Sequence, residues 1–197
     1  NASKKLTIKF IGLIRVYMSS IENFKLNIEL FKLINYSRSD FLDTFFSYFY
    51  LLGKGYVVIP LVLIITYLKR PKSIGLLITT LVILGIIVVA IKKLYPVPRP
   101  LKSLDTVYSI VEHYKIGSFP SGDAALSMAI AIFISHEFRR RIVHILAFTY
   151  AILIGYERIY TGNHFPLDIV AGYIVAIVSF LLAKKIDALW MRKKEYF

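Results

Sequence analysis

The chain reads as a series of apolar runs, most of them closed by a short basic cluster. Tyr56–Leu68 ends in Lys69-Arg70-Pro71-Lys72, and Ile74–Ile91, the longest clean run, stops at Lys92-Lys93. Ala124–Phe138 stops at Arg139-Arg140-Arg141, Ile142–Tyr156 follows at once, and Phe165–Ala183 leads into Lys184-Lys185. A helix that is apolar all round has no wet face, so these five runs predict membrane spans. Several are shorter than the roughly 20 residues of an ideal span, and flanking Lys and Arg stems lengthen them. The stretch 4–36 is different. Lys9, Arg15, Glu22, Lys25, Glu29 and Lys32 interrupt it, and the pairs Glu22/Lys25 and Glu29/Lys32 have the i,i+3 spacing of one helix face. One or two amphipathic helices are expected there, with Ile8–Ile21 either crossing the membrane as a sixth span or lying along it. Phe41–Leu52 is rich in aromatic residues and reads as interfacial. The expected fold is all-α: a polytopic membrane bundle of about six helices with an amphipathic segment over 1–40. No repeat or linker divides residues 1–197, so one domain is expected.

Composition agrees and narrows the partners. The 197 residues are 57% hydrophobic and 19% charged, with mean hydropathy +0.63. A soluble domain is about 45–50% apolar, and one of this size cannot hide such an excess. Lys and Arg number 25 against 12 Asp and Glu, a net charge of +13. A basic excess often signals nucleic acid. In so apolar a chain it points instead to an anionic membrane surface, and no nucleic-acid partner is expected. There is no Cys, which excludes disulfides and thiolate metal sites. With six spans, the clusters at 69–72, 139–141 and 184–194 all fall on one face. The positive-inside rule makes that face cytoplasmic. The segments 92–121 and 157–168 then share the opposite face.

Those two segments hold the polar residues that stand out from the apolar background. Lys92 and Arg99 bracket the exit of a span stiffened by Pro96, Pro98 and Pro100. Pro120-Ser121-Gly122 precedes a helical run, where free amides and the positive end of the helix dipole favour an anion. Gly122 lets an oxyanion approach the backbone. Arg158 ends one span and His164 begins the next. Asp168 lies four residues after His164, one helical turn along on the same face. A carboxylate there fixes the imidazole tautomer and leaves the other nitrogen nucleophilic. Cations, a helix N-terminus and a buttressed His describe a phosphoryl-transfer site. With no carboxylate cluster to cage a metal, the cations stand in as charge neutralisers, and neither metal nor cofactor is expected.

The order Lys-x6-Arg-Pro, Pro-Ser-Gly, Arg-x5-His-x3-Asp resembles the type 2 phosphatidic acid phosphatase superfamily, over roughly residues 53–185. The resemblance implies an all-α membrane bundle with a metal-independent site on the extracytoplasmic side. It implies that Lys92, Arg99, Arg158, Ser121 and Gly122 bind phosphate. It also implies that His164 forms a phosphohistidine while Asp168 orients it. Two positions depart from the family pattern. Asp123 stands where the family usually has a His that protonates the leaving group, and Glu157 where it often has Ser. Asp123 has three readings: a first-turn residue that favours the helix dipole, a general acid, or a position that needs no acid because the leaving group is itself a phosphate.

Lesser candidates complete the reading. Lys54, between Gly53 and Gly55, is expected at the active face, either adding to the phosphate-attracting field or anchoring at the bilayer edge. His113 either touches a head group or is an ordinary loop residue. His136, His144 and Trp190 read as interfacial. The expected activity is hydrolysis of a lipid phosphate monoester or pyrophosphate in the bacterial inner membrane, with a periplasmic site. Lipid A 1-phosphate, undecaprenyl pyrophosphate and phosphatidylglycerophosphate are the candidate substrates. A lipid phosphotransferase and a non-catalytic transporter or scaffold are the alternatives.

Overall fold

The computed structural model describes residues 24–111 and 117–194, with side chains up to Leu189. The expected crossing at Ile8–Ile21, His113 and the side chain of Trp190 lie outside the described residues. The described chain is all-helical. Its helices are α1 (Lys25–Asn35), α2 (Asp40–Phe49), α3 (Gly55–Lys69), α4 (Ile74–Leu94), α5 (Pro100–Ser103), α6 (Gly122–Glu137), α7 (Arg141–Tyr160) and α8 (Pro166–Lys194). Short 3₁₀ turns at Tyr50–Gly53 and Pro71–Ser73 join α2 to α3 and α3 to α4.

Among the described residues three helices are long and apolar enough to cross a membrane: Pro71–Leu94, Arg141–Tyr160 and Pro166–Leu189. The segments Asp40–Gly53 and Gly55–Lys69 pass only as a pair, bent by 58°. The expected spans at Tyr56–Leu68 and Ala124–Phe138 therefore differ from the other three. The first is one limb of a broken element, and the break follows Gly53, where Lys54 is extended. The second is α6, which has 16 residues. At 1.5 Å per residue that is about 24 Å, short of the roughly 30 Å hydrocarbon core.

Helix α6 is also enclosed by its neighbours. Ala124, Ala125, Ser127, Ala129 and Ala131 are buried along it, and their small side chains let α7 and α8 approach closely. Glycines make two of the contacts. A Cβ at Gly172 of α8 would lie 2.7 Å from the Ser121 carbonyl oxygen of the α6 cap. A Cβ at Gly155 of α7 would strike Tyr173 and Ile169 of α8. The apolar core includes Leu77, Leu84, Ile130, Phe133 and Phe180.

Helix α1 is the wet-faced segment the pattern predicts, with Lys25 and Glu29 paired at 3.7 Å on its exposed side. Its buried side carries Phe31 and two asparagines. Asn27 Oδ1 accepts from Leu167 N at 3.0 Å, and Asn35 Nδ2 donates to the carbonyls of Tyr108 and Tyr160, both at 2.8 Å. The strap thus clamps the end of α7 and the start of α8. His136 pairs with Glu137 at 3.0 Å at the end of α6, and His144 lies near the start of α7, both away from the site.

The topology gathers the C-termini of α4 and α7 and the N-termini of α6 and α8 at one end. The basic connections after α3 and α6 lie at the other end.

Candidate active site

His164 lies in the tight turn between α7 and α8. The Arg158 carbonyl closes that turn by accepting from Asn163 N at 3.0 Å and His164 N at 3.1 Å. Gly162 takes φ +76°, a left-handed conformation that costs glycine little. Helix α8 then starts with Pro166 at its first position and Asp168 in its first turn. Asp168 Oδ2 reaches back to accept from Phe165 N at 3.0 Å, as the third residue of a helix does in a capping box. The same oxygen meets His164 Nδ1 at 3.1 Å and accepts from the Ser118 hydroxyl at 2.5 Å. With Nδ1 held as the proton carrier, the lone pair of the imidazole is on Nε2.

Nε2 faces Arg99. Arg99 Nη1 is 3.2 Å from it and donates to the Asn163 carbonyl at 2.8 Å. Both Arg99 and His164 are buried. Burial pushes the imidazole down to about 4, against the pull of Asp168 in the other direction. The ring is therefore neutral near pH 7.

Two backbone bonds tie the three motifs together. Ser121 N donates to the Asp168 carbonyl at 3.0 Å, and Ser118 N donates to the Val97 carbonyl at 2.8 Å. Lys92 Nζ donates to the carbonyls of Gly117 and Ser118 at 2.6 and 3.3 Å, so it holds the segment leading into α6. Ser121 caps α6, its Oγ accepting from Ala124 N at 3.4 Å. A Cβ at Gly122 would meet nothing nearer than Val88 Cγ1 at 3.8 Å, so the backbone there is approachable.

The second edge of the site is built on Arg158. Glu157 takes its guanidinium fork-on, at 2.5 Å from Nε and 2.6 Å from Nη2, and both residues are fully buried. Thr161 Oγ1 donates to Glu157 at 3.1 Å. Arg158 Nη1 donates to Asp123 Oδ2 at 2.8 Å, and Lys54 Nζ approaches the same oxygen at 3.3 Å. Lys54 is buried, and its ammonium lies 5.3 Å from the centre of the Tyr50 ring. It thus lies at the active face, as expected, with its ammonium against Asp123.

Every site residue predicted from the sequence thus lies in one cluster, and Lys54 joins it. Two buried residues were missed as functional. Ser118 lies outside any motif, and only its place three residues before Ser121 hints at it. Glu157 read as a tolerable departure, whereas it is the carboxylate that balances Arg158. Among the described residues no group of three His, Asp or Glu residues is arranged to hold a metal ion.

The chain is similar to several known proteins. An undecaprenyl-diphosphatase of Sulfolobus acidocaldarius is 29% identical over 164 residues, spanning 81% of this chain and 78% of its own. A bacitracin transport permease protein BcrC of Bacillus licheniformis is 30% identical over 172 residues, 80% of this chain and 78% of its own. The crystal structure of Aquifex aeolicus LpxE superposes with a TM-score of 0.79 at 41% identity, covering 84% of this chain and 98% of that one. The model of the PAP2 superfamily matches residues 73–192, and the chain belongs to that family as a membrane phosphatase, a phosphoric ester hydrolase.

Proposed function

We propose that the protein hydrolyses lipid phosphates through a phosphohistidine, with His164 Nε2 as nucleophile. The observation that carries the reading is the line Asp168–His164–Arg99. One imidazole nitrogen is held by a carboxylate at 3.1 Å, and the other faces a guanidinium at 3.2 Å. A phosphate drawn to Arg99 is thereby delivered to the lone pair that attacks it.

In the first step the Nε2–P bond forms as the bond from phosphorus to the leaving oxygen breaks. Arg99, Lys92, Arg158, Ser121 and the Gly122 amide carry the equatorial oxygens. Asp168 balances the charge that develops on the ring. Water then attacks phosphorus as the Nε2–P bond breaks, its proton passes to the Asp123 carboxylate or to the departing phosphate, and inorganic phosphate and the free imidazole are released. The leaving oxygen takes a proton from Asp123 when it is an alkoxide. It needs none when the leaving group is itself a phosphate. The ion pairs of Asp123 Oδ2 with Arg158 and Lys54 favour the second case, since they engage the oxygen that a general acid would turn to the leaving group. A polyprenyl diphosphate is accordingly the preferred substrate class, ahead of lipid A 1-phosphate and phosphatidylglycerophosphate.

The proposed setting is the bacterial cytoplasmic membrane, with the site extracytoplasmic. The basic connections at the far end of the bundle support that orientation.

The test is phosphate release from a detergent-solubilised panel of undecaprenyl pyrophosphate, lipid A, phosphatidylglycerophosphate and phosphatidic acid. Wild type is expected to release phosphate, fastest from the diphosphate, and His164→Ala to release none. A wild type inert on the whole panel, or a His164→Ala variant that turns over normally, overturns the reading. Parallel assays with an acceptor lipid separate transfer to lipid from transfer to water.

A further inference from the structure

At the end of the bundle opposite the site, the connections after α3 and after α6 meet. Lys69, Arg70, Phe138, Arg139, Arg140 and Val143 line a hollow of about 530 Å³ there. The four cations are exposed, and no residue lining the hollow is acidic. The Arg70 guanidinium lies 5.2 Å from the centre of the Phe138 ring, which ties a cation from one connection to an aromatic of the other. Helix α7 begins beside it, with Arg140 at the N-cap and no side-chain acceptor there, so the helix dipole adds positive field. Glu137 is engaged elsewhere, with Ser73 at 2.6 Å and His136 at 3.0 Å.

Orientation of a membrane protein needs only a surplus of Lys and Arg on one side. It does not need cations from two connections to converge on one concavity. The surroundings of the hollow are apolar and uncovered: Ile64 and Leu68 on α3, and Ile142, Ile145 and Leu146 on α7, are all exposed. A ligand that fits both features carries a phosphate and hydrocarbon tails. We propose that this hollow binds the phosphate head group of an anionic membrane phospholipid, whose chains lie along the exposed apolar residues of α3 and α7. Arg139 and Arg140 reach the phosphate oxygens, and the Arg70–Phe138 stack walls the head group. The site is separate from the catalytic one, so the reading does not depend on the lipid the enzyme hydrolyses.

The experiment uses the delipidated full chain carrying His164→Ala, offered equal phosphatidylglycerol and phosphatidylcholine, with retained lipid counted by native mass spectrometry. Phosphatidylglycerol is expected to be retained preferentially. Arg139→Gln/Arg140→Gln should cut its retention roughly tenfold or more, since each cation near the surface contributes about 1 kcal/mol. Arg70→Gln, a single change, should cut it less. The charge-matched control Lys184→Gln/Lys185→Gln, outside the hollow, should keep it. Equal loss in the control reduces the effect to diffuse charge and overturns the proposal. So does undiminished retention in the arginine variants, or no preference for phosphatidylglycerol. Complete displacement by a tenfold excess of inorganic phosphate marks a free-anion site and overturns the lipid assignment. Elution as a single symmetric peak with an unchanged Tm qualifies each variant as folded.

Discussion

Arg99 and Arg158 are both buried arginines of one candidate site, and they are held in different ways. Arg158 is bound by carboxylates on two sides, Glu157 fork-on and Asp123 end-on. Arg99 Nη1 donates to the Asn163 carbonyl and lies against His164 Nε2. A buried guanidinium without an anion nearby is costly, so the carboxylates explain why Arg158 can sit fully buried in an apolar bundle. They also set its chemistry. A phosphate arriving at Arg158 meets a cation already engaged by carboxylates, whereas Arg99 turns Nη1 toward the nitrogen proposed as nucleophile. The Arg99 edge thus faces His164, and at the Arg158 edge carboxylates fix the guanidinium. The Arg158 carbonyl, which closes the His164 turn, links the two.

The sharpest way to break the His164 edge alone is Asp168→Asn. The amide keeps the shape but can present N–H to Nδ1 and stabilise the wrong tautomer. A loss of roughly 10³-fold or more in kcat is expected, by analogy with other carboxylate–histidine pairs. Steady-state phosphate release at saturating lipid measures it. A loss under tenfold would mean that Nδ1 is held by other groups.

Glu157→Ala attacks the other edge and should act mainly on stability. It leaves a fully buried guanidinium short of its fork-on partner, which costs about 3–5 kcal/mol. Thermal unfolding in detergent should show a fall of several degrees in Tm, with the surviving enzyme still forming the phosphoenzyme. An unchanged Tm would show that Arg158 does not depend on Glu157, and the contrast with Arg99 would collapse.

Asp123→Asn separates the two roles left to the second edge. If Asp123 protonates an alkoxide, the variant should lose about 100-fold or more on a phosphomonoester and far less on a diphosphate. The ratio of the two rates is the readout. Equal losses on both substrates would make Asp123 a positioning residue for Arg158 and Lys54, and nothing more.

The difference between the edges also tracks what the sequence made legible. His164, Asp168, Arg99 and Ser121 announce themselves through spacing, because a turn of helix and a helix cap impose fixed intervals. The helical, membrane-bound fold is equally plain from uninterrupted apolar runs. Ser118 and Lys54 are fixed by contacts between segments that periodicity does not report, and Glu157 by its own neighbour Arg158, a pairing that spacing alone does not single out. Lys54 meets a residue 69 positions away, and Ser118 one 50 positions away. The enclosure of α6 is a related case: only its alanines and serines hint that neighbouring helices pack closely around it.

The smallest expected effect concerns pH and sharpens the His164 edge. Burial holds the imidazole near 4 rather than 6.5. A lowered value means that the proton leaves at lower pH, so Nε2 stays unprotonated and nucleophilic through pH 5–7. An ordinary histidine would lose half its nucleophile at pH 6.5. No acid limb in kcat/KM over this range should therefore come from His164. A phosphomonoester has its own second ionisation near about 6, so a limb there belongs to the substrate. It should move when the leaving group, and with it the phosphate ionisation, is changed. Profiles for two or three lipid phosphates of different acidity test this directly. A limb that stays near 6.5 for every substrate would assign it to the imidazole. It would also mean that Asp168 and Ser118 outweigh burial in setting its proton affinity.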